Sequence, residues 1–111
     1  MAYDLELADR LRDHLGHEPG VVEKRMFGGL AFLVDGRMAV SAAGRGGLLL
    51  RVDPAQSDAL LADQRATRFV MRGREMAGWL HVDIDAAVSE DELGRWVDHG
   101  VDYARSLDAG S

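Results

Sequence analysis

The sequence predicts an α+β domain of two layers, an antiparallel sheet packed with helices in the order α-β-β-β-α-β-β-α. Three observations carry that expectation. Leucines recur at helical spacing near the start, and a longer apolar stripe recurs near the end. Between them, apolar and polar residues alternate in several short runs, as half-buried strands require. Asp35-Gly36 and other glycine-bearing breaks separate those runs by connections of hairpin length.

The first helix is expected from about Tyr3 to Leu15. Leu7, Leu11 and Leu15 fall on one face with Ala8, while Asp4, Glu6, Asp9, Arg10 and Asp13 take other directions. Gly16 fits its stop, and Pro19-Gly20 continues the break. Three strands are then expected, Phe27 to Val34, Met38 to Ala42 and Leu48 to Val52. Asp35-Gly36 supplies the positive φ angles of a tight turn between the first two, and Gly44 to Gly47 supply a looser one. Connections this short force antiparallel pairing.

Asp53-Pro54 announces a helix twice over, because aspartate caps free backbone N–H groups and proline is shaped for the first helical position. With Gln56 at capping-box spacing, a helix of about ten residues should run through Ala55, Ala59, Leu60 and Ala62 to near Gln64. Two strands follow, Thr67 to Met71 and Gly78 to Ile84. In the second, Leu80, Val82 and Ile84 share the core face, and Trp79, His81 and Asp83 share a face that is at least partly open. Ser89 and Glu92 then stand at N-cap and N3 spacing, with Glu90 and Asp91 near the positive end of the dipole. The final helix carries Leu93, Trp96, Val97, Gly100, Val101, Ala104 and Leu107 as one stripe. Burial of each large member contributes roughly 1.5 to 3 kcal/mol, so the helix should cover the sheet.

A chain of 111 residues is the size of one domain, here residues 1–111, with an ordered core of about 3–107 and looser residues from Ser106 onward. The absence of cysteine excludes disulfides, thiolate nucleophiles and Cys-ligated zinc, and fits the cytoplasm. Acids at Asp4, Glu6, Asp9 and Asp13 argue against a secretion signal, and the apolar run Gly28 to Val34 is far too short to span a bilayer. A net charge of -6 argues against a general nucleic-acid binder. The charge is unevenly placed, however. From Glu23 to His81 nine Lys or Arg face six acids, whereas the two ends hold four Arg and thirteen acids, a bipolar distribution able to orient a partner.

Few segments offer chemistry. Gly28-Gly29 is followed by a strand and not by the helix that a phosphate loop needs, so a bulge or a close backbone approach is expected. His14, His17, His81 and His99 form no metal-ligand motif, and no cofactor or metal is expected. His81 with Asp83 is the best small-ligand or enzymatic candidate, because alternation puts both on one sheet face beside Trp79. No serine lies in a nucleophile elbow, and no carboxylate pair is set for acid–base work, so no catalysis is expected. Arg65, Arg68, Arg72 and Arg74 cluster near Phe69 and Trp79, a pattern suited to nucleic acid or another anion, with Lys24 and Arg25 as further cations. The candidate interaction residues are therefore Lys24, Arg25, Arg65, Arg68, Arg72, Arg74, Trp79 and His81.

These segments also match a family pattern. Arg25-Met26-Phe27-Gly28-Gly29, Leu33-Val34-Asp35-Gly36, Leu49-Leu50-Arg51-Val52 and Met71 to Trp79 leading to Val82 resemble the N-terminal domain of the TfoX/Sxy family in order and spacing. Leu93, Trp96-Val97 and Tyr103-Ala104 resemble its last helix, so the resemblance runs from about Leu11 to Leu107. It implies a secretion-chaperone-like α+β topology. It also implies kinship with bacterial regulators that promote transcription of DNA-uptake genes, acting with a transcription activator. Those regulators carry a second, helical domain, and this chain is expected to be a single-domain member without it. The resemblance brings no catalytic residues with it.

The function expected from residues and resemblance together is that of a small cytoplasmic regulatory or adaptor domain. It would act by binding protein, with transcription machinery or a second copy of itself as partner. One alternative is nucleic-acid association through the Arg65 to Arg74 segment. The other is a ligand or enzyme site near His81 and Asp83.

Overall fold

The computed structural model describes residues 3–26 and 28–109, the side chains of residues 108 and 109 excepted. Its elements are α1 (Leu5–Leu15), β1 (Val21–Met26), β2 (Gly29–Val34), β3 (Arg37–Ala42), β4 (Leu48–Arg51), a 3-10 turn (Pro54–Gln56) running into α2 (Ser57–Leu60), β5 (Ala66–Met71), β6 (Arg74–Val82) and α3 (Glu90–Ala109). The expected order holds, and one strand joins it between α1 and β2. That strand, β1, reads Val-Val-Glu-Lys-Arg-Met, and its three successive charged residues hide the alternation. It needs no apolar pattern, because it lies at the sheet edge and no residue of it is fully buried.

The sheet has six strands in the order β1-β2-β3-β4-β6-β5, antiparallel throughout. Two tight hairpins set its register. Asp35 and Gly36 both have positive φ (53° and 85°), as do Arg72 and Gly73 (54° and 78°), the geometry whose twist matches paired strands. Phe27, placed in the first strand by the alternation, lies outside the described residues.

The helices follow their caps. The Asp4 carboxylate accepts from the N–H groups of Glu6 and Leu7 at the start of α1, and Ser89 Oγ accepts from Glu92 N at 3.2 Å at the start of α3. Asp53 caps as expected, accepting from Ala55 N at 2.9 Å, yet the second helix is only the 3-10 turn plus the four residues of α2. Of those four only Ser57 is fully buried, so little apolar face rewards extension. Asp63 meanwhile turns back to accept from Arg65 N at 2.9 Å. At the other end the helix continues through Ser106 to Ala109, beyond the expected fraying point, while Gly110 and Ser111 lie outside the described residues.

One face of the sheet carries the main core. Leu7, Leu11 and Leu15 of α1 and Leu93, Trp96, Val97, Val101 and Ala104 of α3 pack with Leu30, Phe32, Val40, Leu48, Leu50, Leu80 and Val82. The opposite face has a separate cluster made only of strand and turn residues: buried Ala31, Met38, Ala43 and Leu49, with half-buried Met26, Leu33, Phe69 and Trp79 around them. Among the described residues, the buried apolar residues of the helices all join the core on one face.

Helix and sheet come close at Gly100, where a Cβ would overlap the Ala39 carbonyl oxygen and press on Leu50. Replacing a helical glycine by leucine gains ~1 kcal/mol of intrinsic helix propensity. Gly100→Leu is nonetheless expected to lower stability by about 2 kcal/mol, because α3 must lift off β3. Urea unfolding measures the sign directly: a more stable variant would mean that this contact does not set the helix position.

Candidate functional site on the sheet face away from the helices

Strand alternation and cross-strand register assemble this face. Val22 pairs with Leu33, Lys24 with Ala31, Leu49 with His81, and Arg51 with Trp79. Directly paired residues share a face, so the second apolar cluster continues outward to Val22 and Lys24 at the β1 edge. Val22 is 60% exposed, so its side chain stands on the open surface at the β1 edge. Arg51 lies 5.3 Å from the Trp79 ring centroid and 5.8 Å from that of Tyr103, so a guanidinium joins the strand ring to α3.

Between β3, β4 and the outer strands is a cavity of about 310 Å³. Ser41, Ala43, Gly44 and Arg45 form the side leading into the β3–β4 turn, Leu49, Phe69 and His81 line the sheet side, and Gly28 closes it. Backbone proximity builds its wall. A Cβ on Gly29 would overlap the Ala42 carbonyl, a Cβ on Gly44 would lie 2.8 Å from the Gly28 oxygen, and a Cβ on Gly47 would press on the His81 ring. The expected close backbone approach at Gly28-Gly29 is what the structure shows. His81 is held by the same turn, its Nε2 lying 2.7 Å from the Gly46 carbonyl. A carbonyl only accepts, so Nε2 carries the proton and donates it.

The structure separates His81 from Asp83. His81 lines this cavity, whereas Asp83 lies beyond the end of β6 and lines a different one with Arg65 and Glu92. Trp79 packs in the second cluster without lining the His81 cavity. Among the described residues, no group of three or more His, Cys, Asp or Glu is set to hold a metal ion.

The basic candidates are likewise dispersed. Lys24 and Arg25 sit on β1 at one sheet edge, and Arg68, Arg72 and Arg74 belong to the β5–β6 hairpin at the other. Arg65 is half-buried and engaged: it donates to Asp63 at 3.0 Å and to Glu92, tying the start of β5 to α3. Arg68 pairs with Asp58 at 2.7 Å. Lys24, Arg25, Arg72 and Arg74 are exposed and have no ion pair among the described residues.

The helix-layer arginines act as clamps. Arg10 reaches the carbonyls of Ala86 and Val88 and the Glu90 carboxylate. Arg12 grips both oxygens of Glu23 on β1, at 2.6 and 2.8 Å, and Arg105 spans Glu18 and Asp35. These hydrogen bonds hold the Glu23 and Glu90 carboxyls below the usual range.

The chain matches the family model of the TfoX N-terminal domain over residues 13–104. It belongs to the TfoX N-terminal domain family. No curated protein and no solved structure matches it. The family span begins inside α1, takes in the whole sheet and ends at Ala104 in α3, so it includes the second apolar cluster and the His81 cavity. Membership makes this a competence-regulator-like domain. Among the described residues, no helix is long and apolar enough to cross a membrane.

The Arg65 clamp makes stability depend on acid. Hydrogen bonds from the Arg65 side chain and backbone lower the Asp63 pKa from 3.8 to about 2. A depressed folded-state pKa gives stability that is complete above about 4 and is lost as pH falls toward 2. Asp63→Asn should therefore melt below the wild type at pH 6, with the gap closing by pH 2. Thermal melts of both proteins across that range check it, and a gap that stays constant would remove the clamp from the explanation.

Proposed function

We propose that this domain acts as a regulatory adaptor by binding another protein on the sheet face away from its helices. The observation that carries the proposal is the second apolar cluster, built from Ala31, Met38, Ala43 and Leu49 and fringed by half-buried Met26, Leu33, Phe69 and Trp79, with no helix packed on it. Helices that cover only one face of a sheet leave the other to solvent or to a partner. The half-buried fringe, with methionine and two aromatic residues, has the composition of a protein interface core.

Charge selects the partner's chemistry. This face carries Lys24, paired with Ala31, Arg51, paired with Trp79, and Arg45 at the rim of its cavity, whereas α1 and α3 are rich in acids. A protein surface with exposed apolar side chains inside an acidic rim fits this face. The domain's own acidic helices repel the same partner from the opposite side, which gives docking one orientation. The family's regulatory members support a role of this kind.

Val22→Glu tests the proposal without disturbing the core, because Val22 is exposed on the β1 edge. The tagged full chain, recovered from its own cells at low salt, should retain a defined protein. Its yield should fall at least about fivefold with Val22→Glu or with raised salt, and stay unchanged with Asp13→Asn in the helix layer. Retention that is equal in all variants, or no retained protein, would overturn the proposal. So would a homodimer by light scattering that Val22→Glu dissolves, since the face would then be occupied by a second copy.

A further inference from the structure

We propose that the cavity under the β3–β4 turn binds a small organic carboxylate that carries an aromatic or similarly compact apolar body. Size sets the first limit. The cavity has a volume of about 310 Å³, roughly twice the ~150 Å³ that accommodates a single benzene, so it has room for one ring and a short acidic arm. It lies at the small end of ligand pockets.

The lining sets the chemistry. Ala43, Leu49 and the Phe69 ring offer an apolar seat, and Ser41, Arg45 and His81 are the polar side chains. Among the described residues, no acidic side chain lines the cavity. An exposed guanidinium at the lip, Arg45, has no ion pair among the described residues. One fixed positive charge beside an apolar seat selects a monoanion. The planar fork of arginine suits a carboxylate, while a dianion would leave charge unbalanced.

The walls are organised before any ligand arrives. The Gly28-Gly29 segment and the Ala42 to Gly44 segment touch backbone to backbone, and Gly47 lies against an imidazole whose Nε2 is fixed by Gly46. A site made of crossed backbones has little freedom to lose on binding. Gly29 at the start of β2 and Gly44 and Gly47 in the β3–β4 turn then have one shared consequence, a thin-walled recess that side chains at those positions would force apart.

Amide-resolved NMR titration of the full chain with phenylacetate, phenylacetamide and acetate tests the proposal. Phenylacetate should shift the amides of Gly44, Arg45, Leu49 and His81 saturably. Phenylacetamide, which lacks the charge, and acetate, which lacks the ring, should each bind at least about fivefold more weakly. Arg45→Gln, a change at an exposed turn residue, should reduce phenylacetate affinity to that of the amide. Three results would overturn the proposal: no saturable shift at these amides, equal affinity for acid and amide, or unchanged phenylacetate binding by Arg45→Gln. None of them bears on the protein-binding face, which is tested separately through Val22.

Discussion

The contact on which the rest of the structure depends is the seating of α3 on β3 at Gly100. A twenty-residue helix can bury its stripe against a twisted sheet only if its backbone comes close somewhere along its length, and here it does so over the Ala39 carbonyl. Leu93, Trp96 and Val97 on one side of Gly100, and Val101 and Ala104 on the other, then reach the floor formed by β3 and β4. Ala39 is the extra residue of the register shift between the Phe32–Val40 and Leu33–Met38 pairs, so an irregularity in the sheet lies directly beneath the thinnest point of the helix.

That seating has a consequence on the other side of the sheet. Both long helices are drawn to one face and held there by arginine clamps, Arg10 and Arg12 on α1, Arg105 on α3 and Arg65 reaching α3 from the start of β5. The face left over is apolar at its centre, and Lys24 and Arg51 stand on it opposite Ala31 and Trp79. Charge and topology thus coincide: arginines that meet acids belong mainly to the helix layer and its connections, and exposed cations without an ion pair are left on the outer strands and turns.

Much of this was legible in the sequence where local chemistry decides the outcome. Ser89 with Glu92, Asp53 with Pro54, and Asp35 with Gly36 each act over a few residues, and each does in the structure what its chemistry predicts. The length of α2 was not legible, because Asp63 has a competing role beside Arg65 that only the tertiary arrangement reveals. Strand β1 was hidden because an edge strand is stabilised by pairing with Leu30 to Val34 and not by its own burial. The candidate site was partly legible. Counting outward from the Asp35-Gly36 turn places Gly28 opposite residue 43 or 44, the uncertainty being the extra residue at Ala39. That count could have joined Gly28 to the Gly44 to Gly47 turn, and Leu49 opposite His81 would have completed the set. The grouping of Arg65 with Arg72 and Arg74 fails for the opposite reason: neighbours in sequence are sent to different tasks, one to an ion-pair clamp and the others to a hairpin tip.

The central claim is that the helices commit the domain to one covered and one available sheet face, and solvent accessibility of individual methyl groups measures this most directly. A neutral soluble gadolinium chelate added to methyl-labelled protein broadens resonances according to their exposure. Val22 and Leu33 methyls should broaden strongly, while those of Leu7, Leu11, Leu93 and Val97 stay sharp. Comparable broadening of the helix-layer methyls, or protection of Val22 and Leu33 in the isolated monomer, would contradict the division of the sheet on which the whole functional interpretation rests.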